Sequence, residues 1–364
     1  ESLENASTIV DNLAKNILKK MKVFSTQGIA TTSTNNSEAY ELYLKGKYKY
    51  SKSQNIEDIV IARGLLEKAI ELDEKLIIAK HILGNILFNN GDSHKAMEIH
   101  NEALKQSEIL GDKRNLAISL NNIGGIFWRK GNYDEALVHY KKSLQISKEI
   151  KDKYAIAISI DKCGSVYYAW GNYEKRLEIS EETYKVYKEL NDKSGLNNYY
   201  NWQSLIYNKM GNYSKALEFS ELYMSASREL ESYSNVANAL HVKGMIYVLQ
   251  GEYNKAVNVL EECIRKRKMY NESYSLEPNT LLALSKKNLH QNYDVTEIAI
   301  MAKDAQSETV YAGSRHIGID FDLNLWLYQL LEDKFYIDSA YNQIQEIADN
   351  LEPDVKLKFL SYPI

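Results

Sequence analysis

Asparagine side chains recur in this sequence at a spacing that favours peptide binding. Asn121 and Asn201 lie two 40-residue periods apart, and Asn122 and Asn198 stand close to them. A carboxamide offers both a donor and an acceptor, so it pairs with the N–H and C=O groups of an extended peptide without reading its side chains. Tryptophan, tyrosine and phenylalanine residues at neighbouring positions would supply apolar anchor pockets.

No enzyme or metal motif accompanies these residues. The sequence has no glycine-rich phosphate loop, no His-Glu-x-x-His, no Cys-x-x-Cys and no nucleophile elbow. The seven histidines are scattered, and His81 and His241 are four repeats apart, too far to share a metal ion. Helix capping and solubility explain the acidic pairs. We therefore expect a non-catalytic segment with no metal and no cofactor.

Charge and hydropathy restrict the partners. The net charge of −4 gives no basic face for a nucleic acid, and the run from Arg265 to Lys268 circles its helix, so we interpret it as solvated surface. No apolar run approaches the ~20 residues of a membrane span, and no signal peptide is present. Cys163 and Cys263 fall at packed positions and are expected to be core residues. We expect a bacterial, cytoplasmic protein without membrane insertion.

The elements that position these residues repeat with a fixed period. Glycines stand at 91, 131, 171, 211 and 251, and an equal spacing of this kind predicts one supersecondary unit stacked on copies of itself. Each glycine is expected to end a first helix, and Asn132 is expected to cap the second helix that follows Gly131. Caps for the first helices are predicted at the same period: Asp112, Asp152, Asp192 and Ser232.

The unit from 117 to 156 carries the pattern most completely. Its first helix has Leu120, Ile123, Gly124 and Phe127 on one face, and its second helix has small residues at Ala136 and Ser143 with Tyr140 between them. This pattern resembles the tetratricopeptide repeat, in the 40-residue form of kinesin light chains and several bacterial peptide-sensing regulators. The resemblance implies an all-α fold, an α-solenoid of antiparallel helix pairs that forms a superhelix.

Some units depart from the pattern. Arg176 replaces the small alanine of the second helix, and Gln203 and Ser204 replace the leucine and glycine of the first. We expect the third and fourth units to pack at an altered angle or with a wetter seam.

Four regions are predicted. Residues 1–35 comprise an amphipathic helix at 1–23 and a linker, and residues 36–75 form an irregular first repeat. Residues 76–291 form the solenoid of 40-residue repeats. Residues 292–364 hold degenerate repeats and a cap, with a final helical pair at Phe321–Leu331 and Phe335–Leu351.

The concave wall of the first helices is the predicted peptide-binding groove, because its residues face away from the packing stripe. A clamp for the carboxylate tail of a chaperone is not expected, since the places where it needs lysine hold histidine, asparagine or aspartate. The predicted groove residues are Asn85, Phe88, Asn121, Asn122, Trp128, Arg129, Asp161, Lys162, Tyr168, Asn198, Asn201, Trp202, Asn238 and His241.

The segment 1–80 resembles the C-terminal part of bacterial signalling proteins in which a class III adenylate or guanylate cyclase domain precedes tetratricopeptide repeats. The sequence starts at Glu1 and not at Met, so we expect a piece of a longer protein. The leading hypothesis is a regulatory module that binds a protein or peptide partner. Two alternatives stay open: an intracellular sensor of a short signalling peptide that controls transcription or a phosphorelay, and a homodimerisation scaffold.

Overall fold

The structure, a computed structural model, describes residues 36–53, 56–269, 276–312 and 320–362. These residues form seventeen helices and no strand, which confirms the all-α solenoid. The helices are α1 (Ser37–Ser51), α2 (Ile56–Leu72), α3 (Ile77–Asn89), α4 (Ser93–Leu110), α5 (Lys113–Arg129), α6 (Tyr133–Glu149), α7 (Lys153–Ala169), α8 (Tyr173–Glu189), α9 (Lys193–Lys209), α10 (Tyr213–Glu229), α11 (Tyr233–Leu249), α12 (Tyr253–Met269), α13 (Leu276–Asn288), α14 (Thr296–Ala312), α15 (Phe321–Leu331), α16 (Lys334–Asp349) and α17 (Pro353–Ser361).

The periodic glycines end the first helices, as the spacing predicts. All five have a positive φ, between 72° and 89°, a conformation that a side chain with a Cβ adopts at a cost. The turn is closed by backbone bonds such as Gly131 N–H to Trp128 C=O at 3.0 Å. Because the same turn recurs once in every period, successive pairs stack in a constant register and the first helices share one side of the solenoid.

The predicted caps of the first helices are confirmed. Asp112 Oδ1 accepts the backbone N–H of Asn115 at 3.0 Å, and Asp152 Oδ1 accepts that of Ala155 at 3.1 Å. Asp192 accepts the backbone N–H of Ser194, and Ser232 accepts that of Asn235. Asn132 occupies the N-cap position of α6, but its side chain makes no cap hydrogen bond, which differs from the sequence expectation.

This difference gives a matched test of capping. Asn212 precedes α10 as Asn132 precedes α6, and its Oδ1 accepts the Lys215 N–H at 3.2 Å. Asn212→Ala is expected to lower the free energy of unfolding by ~1 kcal/mol, the usual cost of losing a cap. Asn132→Ala, the control, should change it by only a few tenths. Urea denaturation followed by circular dichroism measures both, and equal losses would contradict the assignment.

Inside four of the pairs, a glycine of the first helix receives one large side chain from the second helix. A Cβ added at that glycine would collide with the incoming side chain, so the close approach requires glycine. The pairs are Gly84 with His100, Gly124 with Tyr140, Gly164 with Arg176, and Gly244 with Leu260.

The departing units fill this seam with polar groups. Ser180 stands where Tyr140 stands one period earlier, and the side chain of Arg176 fills the space and is fully buried. Gln203 donates to Ser180 Oγ at 2.7 Å, and Ser204 donates to the carbonyl oxygen of Ala216 at 2.9 Å. Buried polar groups therefore hydrogen-bond across this seam, whereas the altered packing angle or wetter seam expected for the third and fourth units stays a prediction.

The solenoid curves so that its last helices return to earlier units. Lys209 at the end of α9 pairs with Asp322 of α15. Ala348 of α16 and Phe359 of α17 belong to one buried apolar cluster with Tyr173 of α8. The predicted final pair is present as α15 and α16, whereas α17 lies beyond the helices that the sequence predicts.

The sequence also predicts core cysteines, an N-terminal helix and the absence of a membrane span. Cys163 and Cys263 are both buried thiols, and neither forms a disulfide within the described residues. The amphipathic helix predicted at 1–23 lies outside the described residues. Among the helices that the structure describes, none combines the length and the apolar character needed to cross a bilayer.

Candidate peptide-binding groove

The first helices α3, α5, α7, α9 and α11 carry all fourteen predicted groove residues, but these differ in accessibility. Asn198 and Lys162 are exposed. Asn85, Asn122 and Asn201 are half-buried. These carboxamides form the accessible polar part of the concave surface.

Asn121 and Asp161 differ from the sequence expectation, because both are buried and bonded within the helix packing. Asn121 Nδ2 donates to Ser159 Oγ at 3.1 Å, across the seam between α5 and α7. Asp161 Oδ2 accepts the Tyr187 hydroxyl at 2.6 Å, and Asp161 Oδ1 lies 3.3 Å from Arg176 Nη2. These bonds join neighbouring helices, so the buried side chains of Asn121 and Asp161 stabilise the wall of the groove and are not exposed to a ligand.

Arg129 contacts Phe88 of the preceding unit. The guanidinium carbon of Arg129 lies 3.4 Å from the centroid of the Phe88 ring, and Arg129 Nη1 donates to the Phe88 carbonyl oxygen. Burial lowers the pKa of Arg129 from its usual value. The guanidinium nevertheless stays protonated at neutral pH. This cation–π contact links α3 to α5 and holds both side chains at the groove wall.

An aromatic cluster stands at the turn edge of the groove, formed by Tyr168, Tyr173 and Trp202. The ring centroid of Tyr168 lies 5.4 Å from that of Tyr173 and 5.2 Å from that of Trp202. Burial is the largest cause that raises the pKa of Tyr168 well above its usual range, and the nearby Tyr173 and acidic groups add to it. The phenol therefore stays neutral and offers a ring face with a hydrogen-bonding tip.

Trp128 of the neighbouring unit lines a cavity together with Tyr168 of the cluster. Its Nε1 lies 3.3 Å from the carbonyl oxygen of Ser165, and its ring centroid lies 6.4 Å from that of Tyr133. A cavity of about 230 Å³ opens between Trp128, Tyr168 and the C-terminal residues Phe321 and Phe359. Its size suits one or two side chains of a ligand.

A charged group ends the predicted groove at α11. His241 Nε2 lies 3.3 Å from Glu277 Oε1 on α13, and Asn238 Oδ1 accepts a hydrogen bond from Arg267 at 3.0 Å. Burial opposes ionisation of Glu277, but His241, Lys209 and Arg267 outweigh it and hold the pKa of its carboxyl below the usual range. Arg267 of α12, expected as solvated surface, is therefore hydrogen-bonded to a residue of the groove wall.

Sequence reasoning missed the contribution of the C-terminal residues to this site. Phe359 and Tyr362 reach the aromatic cluster from a distant part of the chain, and no local pattern predicts such a contact. One signal was present: Pro353 at the first turn of a short apolar segment is a helix start. That signal predicts α17 but not where it packs.

Comparisons with known proteins bear on the repeats and on the fold. The family model described as tetratricopeptide repeat matches residues 75–149, 115–189 and 196–269, which together span more than half of the chain. No protein with a curated description matches the sequence.

Solved structures share the fold. The chain is similar to a Rap protein complexed with Competence and Sporulation Factor, with a TM-score of 0.58 and 17% identity over 95% of this chain and 80% of that one. It is similar to the apo form of RapI, with a TM-score of 0.53 and 16% identity over 85% and 99%. A signal transduction ATPase with numerous domains and a tetratricopeptide repeat sensor, from Pyrococcus horikoshii, gives 0.54 and 14% over 90% and 55%.

Proposed function

Because this chain belongs to the tetratricopeptide repeat family, we propose that it is a non-catalytic interaction and regulatory module that binds a peptide or protein partner in its concave groove. The observation that carries the proposal is the combination of accessible carboxamides at Asn198 and Asn201 with the aromatic cluster beside them. Carboxamides bind the peptide backbone, and the aromatic rings bind one or two of its side chains.

The rigid packing behind the groove supports the proposal. Arg176 lies with its guanidinium carbon 5.2 Å from the centroid of the Trp202 ring, and Asp161 holds Arg176 in place. A binding residue whose rotamer is fixed by its neighbours loses little entropy when a ligand arrives. The buried charges of α7 and α8 thereby preorganise the half-buried ring of Trp202 on α9.

Peptide binding is tested with a random library of peptides of roughly 5 to 10 residues, the length range of an extended segment that adds backbone bonds along a groove. Peptides selected on the wild-type chain are expected to bind Trp202→Ala and Asn198→Ala/Asn201→Ala at least ~10-fold more weakly, about 1.4 kcal/mol. Fluorescence anisotropy measures the affinities.

The matched control places the same change on the convex side. Asn101 on α4 and Asn258 on α12 are exposed asparagines of second helices. Asn101→Ala/Asn258→Ala should leave the affinity unchanged. Peptides that lose affinity on this variant but not on the groove variants would refute binding in the groove.

The identity of the partner is a finer part of the proposal. The fold likeness to a Rap protein complexed with Competence and Sporulation Factor favours a sensor of a short signalling factor as the second candidate. A sensor binds a free peptide of roughly 5 to 10 residues, whereas a scaffold binds a folded partner over ~800 Å² per side. Affinity for the isolated peptide, compared with affinity for the protein that contains it, separates the two.

We also propose that the module regulates an adjoining class III nucleotide cyclase domain, since a bound partner can shift the relative orientation of linked domains. This rests on the resemblance of the segment 1–80. A reading frame without a cyclase domain beside these repeats would reject it.

The scaffold alternative is a homodimer. Ile56 and Val60 on α2 are large apolar residues with 80% and 61% exposure. Light scattering on the whole chain, compared with Ile56→Ser/Val60→Ser, tests whether this face joins two copies. A monomer at high concentration excludes the scaffold.

A further inference from the structure

The C-terminal helix α17 is seated on the aromatic cluster. Phe359 is only 2% exposed and is the one buried residue of α17, where it packs in a cluster with Tyr173. Tyr362 follows shortly after it, with its ring centroid 5.2 Å from that of Tyr173. Its hydroxyl donates to Glu174 at 2.5 Å. Two aromatic side chains thus make the attachment.

Gly171 is shaped for this occupant. A Cβ at Gly171 would collide with the ring of Phe359, whereas a Cβ at the equivalent Gly251 meets nothing within 4 Å. Both glycines have a φ of 72°. The periodic turn glycine therefore has a second role in this unit, because it gives an aromatic ring access to the backbone of the turn.

The attachment of α17 is small compared with a core helix. Only nine residues long, it carries Lys356 and Lys358 on its other faces. A cavity of about 520 Å³ lies between the preceding residues, including Glu346 and Asn350, and the turn at residues 131–135. Because α17 buries only one residue and a polar cavity adjoins its N-terminal end, its detachment from the solenoid costs only a modest free energy.

We propose that the aromatic edge of the groove is a docking site for a short segment with one aromatic residue in the last turn of a helix and a second three residues later in the extended chain that follows. In this structure α17 and Tyr362 occupy the site as an internal competitor. This rests on the proposed function of the groove and names the partner's chemistry. Phe359 lies in the last turn of α17 and Tyr362 follows the helix in an extended conformation, so a partner segment of this kind presents both rings to Tyr173 together.

Competition gives a measurable consequence. A tethered segment acts at an effective concentration in the millimolar range, so it masks the site against weaker free ligands. A partner segment binds only by displacing α17, and its apparent affinity is lowered by the fraction of molecules with the site closed. Weakening α17 raises that affinity without any change in the groove.

The probe is a fluorescently labelled synthetic peptide with the sequence of residues 352–362, titrated against the whole chain. Phe359→Ala/Tyr362→Ala is expected to bind it at least ~10-fold more tightly than the wild type, because the internal competitor is removed. A peptide with both aromatic residues replaced by alanine should not bind. Tyr362→Phe, which removes only the bond to Glu174, should give a smaller gain and keeps the test valid if the double variant misfolds.

A matched pair of glycine variants locates the site. In the Phe359→Ala/Tyr362→Ala background, Gly171→Asn is expected to abolish peptide binding, since the new side chain fills the seat of the ring. Gly251→Asn carries the same backbone strain in open space and should retain it. Circular dichroism confirms that both variants are folded.

Two results would overturn the proposal: equal peptide affinity for the wild type and the double variant, including no binding to either, or equal effects of the two glycine variants. If library peptides still lose affinity on Trp202→Ala but ignore the changes at Phe359 and Tyr362, the groove function stands and the internal competitor is rejected.

Discussion

Replacing Asp161 by asparagine is expected to lower the free energy of unfolding by ~3 to 5 kcal/mol, the usual cost of breaking a buried ion pair. The carboxylate is 8% exposed, and it faces the fully buried guanidinium of Arg176 at 3.3 Å. Burial lowers the pKa of Arg176, although Asp161 opposes this, and the guanidinium stays charged in the unit. Without its carboxylate, that charge is buried and uncompensated.

A second substitution at Arg176 is expected to restore this stability. Asp161→Asn/Arg176→Met leaves no buried charge, and methionine fills much of the space of the arginine stem, so the double variant should recover most of the lost stability. The control is Glu229→Gln, which breaks the exposed pair with Lys193 and should change little. Urea denaturation followed by circular dichroism measures the three variants. Additive losses in the double variant would contradict the coupling.

Stability is also expected to fall steeply in mild acid, because two histidines are buried in neutral form. Burial, and to a smaller extent the neighbouring His100, lowers the pKa of His81 from 6.5 to about 3. Asn115 and Asp112 act in the opposite direction. Burial lowers that of His100 to about 4. The two ring centroids lie 6.3 Å apart between α3 and α4.

The sign follows from proton binding. The unfolded chain takes up these protons as the pH falls below 6.5 and the folded chain does not, so the stabilisation is complete above pH 6.5 and is lost progressively down to the folded pKa values. At pH 5 the loss is ~2 kcal/mol for His81 alone. Urea denaturation of the wild type at pH 8 and pH 5 measures the total.

His81→Asn, which copies the residue one period later, should reduce that pH dependence by about half. His94→Asn, at an exposed position of α4, is the control and should not alter it. If wild type and His81→Asn lose the same stability between pH 8 and pH 5, the buried histidine is not the cause. The effect should be concentrated in the first units, because each unit of a solenoid contacts only its neighbours.

The fold was predictable because its determinants are local and periodic. Gly131 and its equivalents determine the turns, and Gly124 with Tyr140 determines the packing inside the pair. The structure of each unit therefore depends on residues within that unit. The caps at Asp112 and Asp152 follow from the same frame.

The site was less predictable, because its residues depend on exchanges between positions. Asp161 has the phase of the groove, but the replacement of alanine by Arg176 turns it into a buried counter-ion. The frame held a signal: Arg176 appears in the unit where Ser180 replaces the bulk of Tyr140. The return of α17 to Gly171 depends on the accumulated curvature of many units, and no single unit encodes it.

The most direct test of peptide binding by the concave surface is amide hydrogen exchange of the whole chain with and without a peptide selected from the random library. Bound peptide is expected to slow exchange in the first helices, with the largest effect over α7 and α9 around Tyr168 and Trp202, and to leave the exposed faces of α4, α6 and α12 unchanged. Protection confined to the second helices, or to α1 and α2, would contradict a peptide-binding groove.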